Sequence, residues 1–158
     1  MSGFGGGTGF PKPAAGGGSA LPLATVLYAP AALQTYNPTV ALAAVDPTNL
    51  TIAFTVPASG KVDLYASYDW IESGANGLCT GWVLHGTSTL AGYLRYVGAA
   101  NPFGLNDSAE WHLTGLTPGP LQLDLAAQLA AVGSTQIFVQ DGTDKTKDSP
   151  ALLQAYAA

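Results

Sequence analysis

The sequence predicts an all-β protein: a two-sheet antiparallel β-sandwich, jelly-roll-like, behind an extended Gly/Pro-rich N-terminal arm. Three observations carry that expectation. From residue 23 onward, short β-branched or aromatic runs recur between turn residues at roughly the 8–12-residue spacing of all-β domains. In KVDLYASYDWI, the apolar Val62, Leu64, Ala66, Tyr68 and Trp70 alternate with Lys61, Asp63, Tyr65, Ser67 and Asp69, the period of two that a half-buried strand requires. No segment carries the pattern of a helix longer than a couple of turns.

Taken in order, LATVLY (23–28) is a first strand, ended by Ala29-Pro30. TVALAAV (39–45) and NLTIAFTV (49–56) flank Asp46-Pro47-Thr48, a turn whose proline presets φ, and the two read as a hairpin. Pro57-Ala58-Ser59-Gly60 turns the chain into the alternating strand, with Lys61, Asp63 and Asp69 expected on its wet face. ESGANG (72–77) is a loop, and LCTGWVLH (78–85) with LAGYLRYV (90–97) forms a second hairpin around GTST. GAANPFGLND (98–107) reads as a connection, and AEWHLTGL (109–116) as a strand with Trp111 and Leu113 on one face. After the turn at 117–120, PLQLDLAAQLAAV alternates at Leu121, Leu123 and Leu125, while Leu125, Leu129 and Val132 suit a helix; a strand, with room for a helical end, is expected. TQIFVQ (135–140), the turn DGTDKTKD and ALLQAYAA (151–158) close the chain. So apolar a last strand is expected to be paired inside a sheet, because a free edge of that kind invites aggregation.

Composition bounds the function. A chain of 158 residues is long enough for one domain with a proper core. Charged residues are 9% and apolar ones 47%, against a usual charged share of about 25%. The net charge is −5 with only five Lys plus Arg, which lacks the basic footprint of nucleic-acid binding. No apolar run reaches the ~18 residues of a membrane-spanning helix. Neither nucleic acid nor membrane is therefore an expected partner. The single Cys79, in GLCTGWVL, excludes an internal disulfide and a cysteine-rich metal site and reads as a small buried hydrophobe. So few charges suit a protein that covers its surface with copies of itself.

The opening stretch, MSGFGGGTGFPKPAAGGGSALP (1–22), differs in character from residues 23–158, and the two are expected to be an arm and a domain. The arm has no basic n-region and no unbroken apolar run, so it is not read as a secretory signal. GFGGGTGF has no strand before it and no G-K-[ST] after it, so it is not a phosphate-cradling loop. Glycine-rich chain buries too little apolar surface to offset its ordering entropy. Phe4 and Phe10, however, are anchors for a neighbouring surface, and Pro11 and Pro13 hold the exit extended. A docking segment that orders on assembly is the expectation.

Candidate chemical sites are weak. His85 and His112, the two histidines, fall in no H-E-x-x-H or H-x₃₋₅-H arrangement. Ser88 in GTSTLAG lacks the nucleophile-elbow spacing. Asp141, Asp144 and Asp148 do not alternate as calcium ligands do, and Lys145 and Lys147 neutralise their loop. Glu72, Glu110, Asp69 and Asp107 have no spacing that fixes two carboxylates across a bond. No catalytic, cofactor-binding or metal-ligating residue is expected, and no enzyme. Trp70, Trp82, Trp111, Tyr68, Tyr93 and Tyr96 fall mostly at core-facing parity. Tyr28, Tyr36 and Tyr65 are expected to point outward, at a subunit interface or a carbohydrate platform.

The stretch NPTVALAAVDPTNLTIAFTVPASGKVDLYASYDW followed by the LTGLTPG turn resembles β-sandwich modules of tailed-bacteriophage virion structural proteins, related in pattern to the tumour-necrosis-factor and C1q-like jelly rolls. The resemblance covers about residues 37–158; LTGLTPG alone also resembles a fibronectin type III turn, in domains far shorter than this one. Where the phage modules often carry aromatic and basic residues after the turn, this chain has LQLDLAAQLAA. The resemblance implies a capsid decoration or head-fibre protein on the outer surface of a virion, made in the host cytoplasm. A homotrimer would be anchored by its arm to the major capsid protein or other virion subunits. Alternatives are a minor tail protein or a carbohydrate-binding module that meets a surface glycan.

Overall fold

The computed structural model describes residues 21–32, 34–72, 77–98, 105–130, 135–139 and 150–158. All named strand pairings among them are antiparallel, in two sheets. The larger holds β1 (Ala24–Tyr28), β11 (Ala151–Ala157), β5 (Val62–Glu72), β10 (Thr135–Val139) and β2 (Gln34–Tyr36) in that order, with β8 (Leu105–Leu113) on the other side of β5. The smaller runs β3 (Ala43–Ala44), β9 (Gly119–Leu129), β6 (Leu78–Leu84), β7 (Arg95–Gly98), with β4 (Thr51–Val56) also on β9. From β4 to β10 the chain crosses between the sheets at every step except β6 to β7, which stay together in the smaller sheet, as in interleaved sandwiches of the jelly-roll kind.

The core lies between the sheets. Leu64, Tyr68, Trp111 and Leu153 come from one side and Ile52, Trp82, Leu123 and Leu125 from the other, all buried. Trp82 and Trp111 meet edge to face across the gap, centroids 5.7 Å apart at 87°, the geometry that the ring quadrupole favours. The Tyr68 hydroxyl donates to Thr80 Oγ1 at 2.7 Å, a buried polar tie between β5 and β6.

Most of the local expectations hold. Val62, Leu64, Ala66 and Tyr68 are buried and the Trp70 side chain lies outside the described residues. Trp111 and Leu113 share the core face, β9 is strand throughout, and β11 is paired on both sides, by β1 and β5. The turn before β5 closes with Gly60 N–H donating to Pro57 O at 2.9 Å and Gly60 at φ 64°. A Cβ there would lie 2.7 Å from the Leu116 carbonyl oxygen, so the position needs glycine for both conformation and space. The Leu84–Thr89 turn joins β6 to a bridge at Leu90 and then β7, the expected hairpin.

Several expectations are corrected. Segments 39–45 and 49–56 do not pair as a hairpin: β3 and β4 lie one after the other along the same strand, β9. The chain between them makes one tight turn, with Leu50 N–H donating to Asp46 O and the Asp46 carboxylate accepting from the Thr48 and Asn49 N–H groups. Leu125 then receives Val45 N–H at its carbonyl and donates its own N–H to Leu50 O. An Asx turn thus lifts a loop out of one edge path instead of reversing it. Strand β8 begins at Leu105, inside the segment taken as a connection. Asp69 is buried, not exposed, because β5 is flanked there by β8 and β10. Cys79 is only half-buried, on the opposite face of β6 from Thr80 and Trp82. Tyr93 is 83% exposed. The side chain of Tyr96 lies outside the described residues, as do residues 73–76 of the predicted loop and the whole DGTDKTKD turn (141–148).

Candidate functional site

The outer face of the larger sheet collects the exposed polar chemistry. Strand parity puts Asp63 and Tyr65 of β5 there, with Glu110 and His112 of β8, Leu152, Gln154 and Tyr156 of β11, and Leu23, Thr25 and Leu27 on and beside β1. Register aligns them in rows: His112–Asp63–Tyr156, Glu110–Tyr65–Gln154–Thr25, and Ser108–Ser67–Leu152–Leu27. Burial of this face rises along β5, from exposed Lys61 through half-buried Asp63 and Tyr65 to buried Ser67 and Asp69.

In the first row His112 Nδ1 and Asp63 Oδ1 are 2.7 Å apart, with the imidazole 71% exposed and the carboxylate 28%. The hydrogen bond to Asp63, then its charge and that of Glu110, hold the His112 pKa above its ordinary value against a small opposing effect of burial. Tyr156 is also raised, chiefly by burial, with Tyr65 and Glu110 adding to it. Across the sheet, on and beside β1, Leu27 at the end of the third row is 65% exposed and Leu23 lies exposed on the same face. A polar, ionisable end and an apolar end therefore share one sheet face.

Among the described residues, grooves flank the sandwich. One, of about 220 Å³, runs between Leu90, Tyr93, His112 and Thr114. Another, of about 370 Å³, opens between Tyr36, Asn37, Thr39 and Val45. At its rim the Tyr36 hydroxyl donates to Asp46 Oδ2, and Asn49 Nδ2 donates to the same oxygen at 2.9 Å. Burial and then Asp46 push the Tyr36 pKa well up. For Asp46 burial acts upward, yet the hydrogen bonds from Tyr36, Asn49 and Thr48 outweigh it and hold the carboxyl below its usual range.

The predicted interface aromatics separate. Tyr28 and Tyr36 do not point outward: both are half-buried against the core, Tyr28 because it shares inward parity with Ala24 and Val26, Tyr36 because its hydroxyl reaches back to Asp46. Tyr65 does lie on the outer face. Phe4, Phe10, Pro11 and Pro13 lie outside the described residues. His85 is a loop histidine whose Nδ1 meets the fully buried Asp124 at 2.8 Å, and Gly86 N–H donates to the same carboxylate at 3.3 Å. Local sequence did not reveal the convergence of Asp63, Glu110 and His112, since it depends on the register between strands almost fifty residues apart; His112 and Glu110 at i, i+2 on one strand face were the only trace.

No family model matches the chain, and neither does any curated protein. Among solved structures it is similar to the infectious bursal disease virus VP2 subviral particle, at 12% identity and a TM-score of 0.36, over 85% of this chain and 37% of that one. It is also similar to the structures of the Gx strain (15% identity, TM-score 0.28, 85% of this chain and 35% of the other) and the Gt strain (13%, 0.30, 85% and 37%) of the same virus. The chain spans little more than a third of the length of these structures.

Proposed function

We propose that the chain is a structural protein of a virus particle, of capsid decoration or head-fibre type. Its β-sandwich domain, residues 23–158, associates as a homotrimer, and its arm, residues 1–22, docks through Phe4 and Phe10 on the major capsid protein or another virion subunit. The work is cohesion rather than bond chemistry. The observation that carries this reading is the apolar end of the outer sheet face: Leu27 in β1 and Leu23 just before it stand exposed, with Leu152 of the paired β11 beside Leu27, in a chain with 9% charged residues. Exposed apolar side chains gathered on one sheet face are what a subunit contact buries.

Sedimentation velocity of the full chain at micromolar concentration tests the association. A mass of three chains is expected, shifting toward one chain in Leu27→Asp; a wild-type protein of one-chain mass at every concentration overturns it. A second reading, a carbohydrate-binding role at the particle surface, is favoured by one observation, the exposed Tyr93 beside the groove shared with His112 and Thr114. Glycan binding by the wild-type chain that Tyr93→Ala abolishes would select it.

A further inference from the structure

We propose that Asp63, Glu110 and His112 form a binding site for a divalent transition-metal ion of the zinc type on the outer face of the larger sheet. Their ligand atoms all lie within 4.8 Å of one another. Ligands about 2.0–2.2 Å from a tetrahedral zinc stand roughly 3.3–3.6 Å apart, so an ion entering between them parts the hydrogen-bonded His112–Asp63 pair, now 2.7 Å apart, by less than about an ångström, while Glu110, whose ligand atom lies within 4.8 Å of theirs, completes the set. The backbone is fixed where it matters. Asp63 and His112 are directly opposite in the β5–β8 register, Glu110 follows two residues along on the same face, and β5 is braced on its far side by β11.

The donor set selects the class of ion. Two carboxylates and an imidazole suit zinc and its borderline neighbours, whereas calcium and magnesium call for six or more oxygens or near-complete hydration. Three protein ligands on an exposed face leave a coordination position for water or for a group on whatever covers the sheet. On binding, the ion takes the imidazole nitrogen lone pair and one oxygen of each carboxylate, and any proton on His112 leaves to solvent; nothing is oxidised or reduced. This site goes beyond the structural role proposed above and stands independently of it.

The chain has two histidines, which makes the test direct. Zinc chloride is titrated into metal-free, untagged full-length protein while the imidazole signals are followed by nuclear magnetic resonance, with calcium chloride as a parallel arm. The His112 signals are expected to move or broaden to saturation below millimolar zinc while those of His85 stay in place, and calcium is expected to leave both unchanged. Glu110→Gln and Asp63→Asn, both at solvent-accessible positions, are each expected to weaken zinc binding at least tenfold, with the melting temperature in metal-free buffer reporting that they fold. The proposal is overturned if His112 does not respond, if His85 responds equally, if both variants bind zinc as the wild type does, or if calcium moves His112 as zinc does.

Discussion

Tyr68→Phe isolates the polar tie between the two sheets. The ring is fully buried and its hydroxyl donates to Thr80 Oγ1, itself fully buried, at 2.7 Å. Judged by hydrophobicity alone, losing a hydroxyl from an apolar core should stabilise the fold. The structure predicts the reverse, because Phe leaves the Thr80 hydroxyl without this donor in a site that excludes water, and a buried polar group deprived of its partner costs about 1–3 kcal/mol. Thr80→Val removes the other half and is expected to cost a similar amount by taking this acceptor away from the tyrosine hydroxyl. The double variant should lose less than the sum of the two, by roughly 0.5–1.5 kcal/mol, since contacting residues do not add. Urea unfolding with unchanged m-values gives all three numbers. Tyr68→Phe as stable as the wild type, or strict additivity in the double variant, would refute the claim that this bond ties the sheets.

Asp46→Ala removes the acceptor of Tyr36, Thr48 and Asn49 at once and should cost about 2–3 kcal/mol in the same unfolding assay; a loss under ~0.5 kcal/mol would mean the loop is held by its backbone alone. Gly60→Ala meets both the positive φ and the Leu116 carbonyl and should destabilise by at least ~1–3 kcal/mol, against a near-neutral Gly86→Ala in spatial terms, where strain from φ 72° alone is felt. The His112 imidazole should titrate above 6.5 and fall toward that value in Asp63→Asn. Because its folded pKa is raised, the His112–Asp63 pair stabilises the protein fully below 6.5 and loses that contribution as pH rises through the folded pKa. A midpoint at or below 6.5 in the wild type would contradict the pairing. Burial raises the Cys79 thiol, so its reaction with a disulfide reagent at pH 8 should be slower than that of a free thiol and should accelerate in denaturant.

How much of this was legible in the sequence depended on whether the signal was local. The alternation of residues 61–68 fixed which face of β5 is buried, since side-chain parity is a property of the strand itself. The apolar character of ALLQAYAA implied a paired strand, and β11 is paired on both edges. Segments 39–45 and 49–56 carried every local sign of a hairpin, and only the capture of the Thr48 and Asn49 N–H groups by Asp46, together with the shared partner β9, decided against it. Asp69 has the parity of an exposed residue and is buried by neighbours that arrive from residues 105–113 and 135–139. Tyr28 and Tyr36, expected outward, lie in short strands in which a shift of one residue exchanges the faces. The Asp63–Glu110–His112 cluster was invisible for the same reason as Asp69: it exists only in the register of β5 against β8.

The central claim, that this is a cohesive component of a virus particle held by its arm, is tested most directly by co-sedimentation of the purified full chain with particles assembled without it. The account predicts saturable pelleting at a fixed copy number per particle, lost when residues 2–20 are deleted and sharply weakened by Phe4→Ala with Phe10→Ala, while the truncated domain stays folded in the supernatant. Full-length protein that remains in the supernatant at every concentration, or truncated protein that pellets at wild-type occupancy, would contradict it.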